Sequence, residues 1–244
     1  MSDEAERVCT LWTAVTGDGH SAIAKAGWRS WPPGVNLHAT KRREDAVAAA
    51  MAYGQEFGVG YVVRFDLKID PDERALDALD IDSLSRDRAL ATAIMEETKY
   101  RGRVEDDEIA RAEAAMGRRF PAAWRAYIQS PVWFCKGWLP RGSFDGGAFV
   151  WLYTPAESAD IVLVWKDLEI APPGMVVIGG DGASEHLTLD ERDPRTSVTL
   201  TNNVEVSWED SIVQCRSIEA FIRSIQDDTF RFVFGTEKEM SSGP

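Results

Sequence analysis

The side chains with the widest chemical repertoire are scattered along this chain. Its three histidines, His20, His38 and His186, stand singly. None has a partner four residues away or a cysteine close by, the spacings from which helical and knuckle-type metal sites are built, so no metal centre is expected. His38 falls in a strand pattern and reads as structural, and His186 as a surface residue first and an interface residue second. The cysteines, Cys9, Cys135 and Cys215, are odd in number, far apart and in no CxxC pair. That argues against a disulfide framework and for buried, inert thiols in a reducing cytoplasm. Gly179-Gly180-Asp181-Gly182 has the glycine density of a phosphate loop. It lacks the Lys-Ser/Thr that would follow, and the next segment patterns as a strand, so no helix N-terminus faces an anion. A turn needing positive φ accounts for it. No Ser/His/Asp, Cys/His or paired-carboxylate constellation can be assembled. The expectation is a chain without a catalytic site, cofactor or metal.

Binding chemistry is better represented. Of nine tryptophans, Trp124, Trp151 and Trp165 lie in periodic or strand-like runs and read as core. Trp133 and Trp138, in the Gly/Pro-flanked run Val132 to Leu139, are the candidates for exposed interface anchors. The acids Asp145, Asp181, Glu185 and Asp190, with Glu191 and Asp193 beside them, read as a solvated face or as a surface for a basic partner. Net charge is −13 and the pI about 4.7. Such a surface repels nucleic-acid backbone and attracts a basic protein. No apolar run approaches the roughly 20 residues of a membrane span. The N-terminus is acidic where a signal peptide is basic, so a cytoplasmic protein with no membrane association is expected.

The positioning elements divide into two regions. Residues 8–15 pattern as a strand, Gly17-Asp18-Gly19 as a turn and residues 20–26 as a short helix ended by Gly27. Trp28 and Trp31 flank a loop closed by Pro32-Pro33-Gly34. A strand over 35–40, a helix over 41–53 capped by Thr40 and a strand over 61–69 follow. Leu76, Leu79, Ile81, Leu84, Leu90 and Ile94 have helical spacing, which predicts connecting helices over 70–100. The first domain is therefore set at residues 1–100 and the second at 101–234, with 235–244 a disordered tail. The second opens on a helical hairpin. Ile109, Ala112, Met116 and Phe120 form one apolar face, and Glu105 to Glu108 suit the positive end of the helix dipole. Gly117 suits a left-handed cap, and Pro121 starts a helix carrying Trp124, Tyr127 and Ile128. Strands are predicted at 148–153, 161–165, 175–178, 185–189, 197–200 and 204–208. A closing helix is predicted through Ile218, Phe221, Ile222 and Ile225. Short strands with tight turns indicate an antiparallel sheet in an α+β domain.

The hairpin pattern Glu113, Met116-Gly117, Phe120-Pro121, Trp124 and Tyr127-Ile128 resembles the opening helices of the SUKH superfamily. Ile178-Gly179-Gly180-Asp181-Gly182, followed by Leu187, Leu189 and Asp190, resembles that family's IGGDG turn and its next strand. Ser217 to Ile222 is similar to its closing helix. The three segments come in family order over roughly residues 101–228. The resemblance implies an α+β fold and a non-enzymatic immunity protein that binds and neutralises a polymorphic bacterial toxin. The partner-binding residues would then be Trp133, Trp138, Asp145, Asp181, Glu185 and Asp190, facing a basic toxin. Residues 8–69 more weakly resemble the first half of an ADP-ribosyltransferase-type fold. Thr13 stands where such families place His, Asn36 to Thr40 where an aromatic strand and its helix begin, and no glutamate after Tyr61 matches the catalytic one. That implies a degenerate copy. The alternatives are an NAD-using enzyme that transfers ADP-ribose, and an intracellular scaffold or regulator.

Overall fold

A computed structural model describes residues 7–27, 40, 42–69, 91–139, 148–193, 197–204 and 206–234. The chain divides into two compact units, Met1–Gly102 and Arg103–Pro244. Both combine helices with antiparallel strands, an α+β construction.

In the first unit, β1 (Arg7–Thr16), β2 (Val59–Ile69) and β3 (Ala91–Gly102) pair antiparallel in that order. Helix α1 (Gly17–Lys25) starts directly from β1, with Thr16 Oγ1 accepting from the Gly19 amide at 3.5 Å. The Gly17-Asp18-Gly19 stretch is thus its first turn and not a separate loop. Helix α2 (Arg43–Phe57) buries Ala46, Ala50 and Gly54 against the sheet, small residues that permit close approach. It begins at Arg43 without a side-chain cap. Thr40, expected to cap it, instead bridges to Trp12 through two backbone hydrogen bonds and accepts from the Arg42 amide at 3.0 Å.

Residues 91–102 form a strand, where helical spacing predicted a helix. Ala, Met and Glu are good helix formers, but pairing with β2 outweighs intrinsic propensity. A bulge lets the strand keep its register: Val62 faces Thr98 and Val63 faces Glu96, leaving Glu97 extra. The Glu97 carboxylate accepts from Trp12 Nε1 at 2.6 Å and pairs with Arg43 of α2. Glu96 pairs with His20, whose ring stacks on Tyr61 at 3.8 Å. The features expected at 28–39, His38 and the connecting helices over 70–90 lie outside the described residues, as does the tail.

The second unit holds six described strands: β4 (Val132–Leu139), β5 (Ala148–Leu152), β6 (Met175–Gly180), β7 (Glu185–Asp190), β8 (Val198–Asn202) and β9 (Ile212–Cys215). Each pairs antiparallel with the next. Helices α3 (Asp106–Met116) and α4 (Ala122–Ile128) form the hairpin that the sequence patterning predicts, with Ile109, Ala112, Met116, Trp124, Tyr127 and Ile128 buried. Gly117 is left-handed at φ 64°. Lys166 Nζ donates to the Met116 carbonyl at 2.6 Å, satisfying one of the acceptors a helix end leaves open. Glu113 accepts from the Phe120 amide at 2.9 Å and so holds the joint between the two helices.

Two strand expectations in this unit are overturned. Residues 161–165 belong to helix α5 (Pro155–Asp167). The β-branched run Ile161-Val162-Leu163-Val164 suggests a strand, but Thr154 and Glu157 form a reciprocal capping box with Pro155 behind it. Ser158, Val162 and Trp165 then fall on one buried helical face. Of the strand expected over 204–208, the described residues 204 and 206–208 lie in no strand. Asn202 Oδ1 accepts from the Val204 amide at 2.8 Å and turns the chain, and pairing resumes only at Ile212. The closing helix α6 (Ile218–Gln226) is capped by Ser217 and packs Phe221 edge-on against Phe230.

Candidate functional site

The IGGDG segment is the hairpin between β6 and β7. The Asp181 amide donates to the Glu185 carbonyl at 3.2 Å. Asp181 Oδ1 accepts from the amides of Ala183 at 2.8 Å and Glu185 at 3.2 Å. This is a side chain standing in for backbone within a turn. Gly182 sits at φ 80°, and a Cβ there would lie 2.7 Å from the Phe149 ring. A Cβ on Gly180 would meet the Glu185 carbonyl at 2.4 Å and Tyr153 Oη at 3.0 Å. The glycines therefore serve two purposes: they make the turn, and they leave a bare backbone onto which two aromatic side chains settle.

Those side chains belong to a row across one face of the sheet. Cross-strand partners share a face. The register sets Lys136 beside Trp151, Trp151 beside Gly180 and Gly180 beside His186, with Trp138 beside Phe149 in the adjoining position. Trp138 meets Phe149 edge-on at 5.5 Å, and Trp151 meets Tyr153 at 5.7 Å. Lys136 Nζ lies 5.4 Å over the Trp151 ring. Tyr153 Oη and His186 Nδ1 are hydrogen-bonded at 3.2 Å, and His186 meets Trp165 edge-on at 5.2 Å. Trp138 is 44% exposed and Trp165 only 4%, so the row runs from solvent into the core.

Its electrostatics are those of a neutral aromatic floor beside carboxylates. Burial, then Glu157 and Asp181, push the Tyr153 phenol up to about 12. Burial holds the His186 imidazole below its ordinary value, against the pull of Asp181. Both groups are neutral at physiological pH. Desolvation, then the Asp181 charge, raise the Glu185 carboxyl. Glu185 Oε2 is enclosed and has no hydrogen-bond partner among the described residues. Neither Asp181 nor Glu185 forms an ion pair there.

The six predicted binding residues separate sharply. Trp138 and the turn that carries Asp181 are brought together, because Phe149 meets Trp138 edge-on and lies against Gly182; Glu185, next to His186 in β7, points to the other face of the sheet. Trp133 is not an exposed anchor. It is 2% exposed and packs edge-on against Tyr127 of the hairpin. Asp190 is at the opposite end of β7 from Glu185, about 16 Å away at strand rise. Its carboxylate is engaged by Arg192 at 2.8 and 2.7 Å, a hydrogen bond that holds its pKa down. It is locally neutralised rather than available for steering. Asp145 lies outside the described residues. His186 is half-buried within the row and not a surface residue. Phe149, Trp151 and Tyr153 escaped notice as site residues, although their alternation in Phe149-Val150-Trp151-Leu152-Tyr153 signals a shared face.

Elsewhere, Thr13 is fully buried, with its hydroxyl on the Ala14 carbonyl at 3.5 Å. Cys135 is buried, and burial raises the half-buried Cys215 thiol. Among the described residues, no group of three His, Cys, Asp or Glu is placed to hold a metal ion, and no helix is long and apolar enough to cross a membrane. Searched against protein-family models and curated proteins, the chain matches none.

The raised Glu185 carboxyl makes a stability prediction. A carboxyl whose folded pKa exceeds its unfolded one favours folding when protonated, and that contribution is lost as pH rises from its ordinary value of 4.5 through the folded value. Glu185→Gln should therefore raise the melting temperature at about pH 7 and leave it nearly unchanged at about pH 3.5, where wild type is already protonated. Thermal melts at both pH values measure this. An equal gain at both would show that ionisation is not the cause.

Proposed function

We propose that this chain is a non-enzymatic binding protein of the immunity type, which captures and neutralises a bacterial protein toxin in the cytoplasm. The second unit carries the contact surface. The observation that supports this most is Trp138: a large aromatic side chain, 44% exposed, meeting Phe149 edge-on beside a glycine turn that carries Asp181, which has no ion-pair partner among the described residues. An aromatic anchor held rigid by its neighbours, with charge at its rim, is the form binding hot spots take. The ordered resemblance of the hairpin, turn and closing helix to the SUKH superfamily supports the same reading. The full burial of Thr13 speaks against NAD chemistry in the first unit.

The test is to express the chain with the toxin domain encoded beside its gene. A stable stoichiometric complex, rescue of growth and no NAD consumption by the purified chain are expected. Rescue without a complex, or saturable NAD turnover, would overturn the proposal.

A further inference from the structure

We propose that a cavity at the end of α3 binds a small molecule carrying a phosphate monoester. The cavity, about 490 Å³, is lined by Ala110, Ala114 and Gly117 of the helix and its cap, by Arg118 and Arg119, and by Glu191 just beyond β7. It lies at the opposite end of β7 from the glycine turn and is independent of the protein-binding role just argued.

The space follows from side-chain size. Ala110, Ala114 and Gly117 recur on one helix face, so nothing longer than a methyl group fills the volume above them. That volume is in the range of small-molecule sites. The charge calls for a dianion. Neither the Arg118 nor the Arg119 guanidinium forms an ion pair among the described residues. Arg118 is half-buried and gives one donor to the Met175 carbonyl, and the Arg119 side chain makes no hydrogen bond there. Burial holds the Arg118 guanidinium below its ordinary value, the mark of a cation short of acceptors. Lys166 adds a third cation, its Nζ 3.6 Å from where a Cβ on Gly117 would stand. The neighbouring carboxylates are engaged elsewhere: Glu113 accepts from the Phe120 amide and faces Arg125 at 3.5 Å, and Asp190 is held by Arg192. The carbonyls at the helix end are also answered, Met116 by Lys166 and Glu113 by the Arg118 amide at 3.2 Å. Glu191 remains, with Oε2 accepting from the Arg119 amide at 2.8 Å. Two guanidinium forks and an ammonium match a phosphoryl dianion, and Glu191 Oε1 takes a hydroxyl of the molecule that bears it. A polynucleotide would bring a chain of phosphates against a surface of net charge −13.

The test titrates the full-length chain with glycerol phosphate, glycerol, glycerate, inorganic phosphate and a phosphoserine tripeptide, followed by calorimetry and amide chemical shifts. Glycerol phosphate should bind about tenfold more tightly than glycerate, inorganic phosphate or the peptide, and glycerol not at all. Arg119→Gln removes one cation and keeps the backbone amide on Glu191. Ala114→Leu fills the cavity and leaves the charge alone. Each should weaken glycerol phosphate by about tenfold. Both positions are exposed, so both variants should melt with the wild type, and if one does not, the other decides. Arg111→Gln removes the same charge from α3 outside the cavity and should leave the affinity unchanged. Inorganic phosphate, glycerate or the phosphoserine peptide binding as tightly as glycerol phosphate would overturn the assignment of a small phosphate ester. So would an equal loss in Arg111→Gln, or no loss in the two cavity variants.

Discussion

Trp138→Ala is expected to weaken the toxin complex by about thirtyfold, roughly 2 kcal/mol, almost entirely through faster dissociation. Buried aromatic anchors act on the lifetime of a complex because they must be resolvated before it separates. The fold should lose far less, about 1 kcal/mol, since Trp138 is nearly half exposed. Charge should act on the other rate. Reversing Asp181 and Glu185 together is expected to slow association several-fold at low salt and less as salt rises. Reversing Asp190 should leave association unchanged, because Arg192 already occupies its carboxylate. Stopped-flow association and dissociation rates across a salt series separate the effects. A dissociation rate indifferent to Trp138 would remove the aromatic row from the interface.

The largest loss of stability is expected from Trp124→Ala, about 4 kcal/mol by urea unfolding. Trp124 is fully buried on α4, 5.5 Å from the Tyr127 ring, and the cavity left would sit at the centre of the hairpin packing. Trp124→Phe should cost much less than its lost volume suggests. The indole Nε1 is buried with no hydrogen-bond partner among the described residues. Deleting such a donor recovers about 1–3 kcal/mol of desolvation cost. The contrast between the two variants is the measurement. If Phe is as damaging as Ala, the indole nitrogen has a partner and the packing account of this site is incomplete.

Elements with local signals were legible from the chain alone. The α3–α4 hairpin follows from apolar spacing, a left-handed Gly117 and Pro121. The β6–β7 turn follows from its glycines, and α6 from Ser217 and its apolar face. Other features also carry a local signal. Trp133 and Trp138 differ in parity along one strand, so they cannot share a face, and strand alternation already implies that only one is exposed. Asp190 and Arg192 are two residues apart and were readable as a pair. The capping box at Thr154 and Glu157 was likewise in the sequence, hidden by the β-branched run behind it.

Other features depend on long-range pairing. Residues 91–102 carry helix-forming side chains and become a strand only because β2 offers a partner and a bulge absorbs the mismatch at Glu97. The candidate site is of the same kind. Trp138, Phe149 and Gly182 come from β4, β5 and the β6–β7 turn, and each is unremarkable in its own segment. Composition and local pattern determined that this chain is α+β, acidic, and provided with a hairpin, a glycine turn and several aromatic strands. Which tryptophan reaches solvent, and which aromatic rings line up beside it, was decided by strand register, because a shift of one residue moves every side chain to the opposite face.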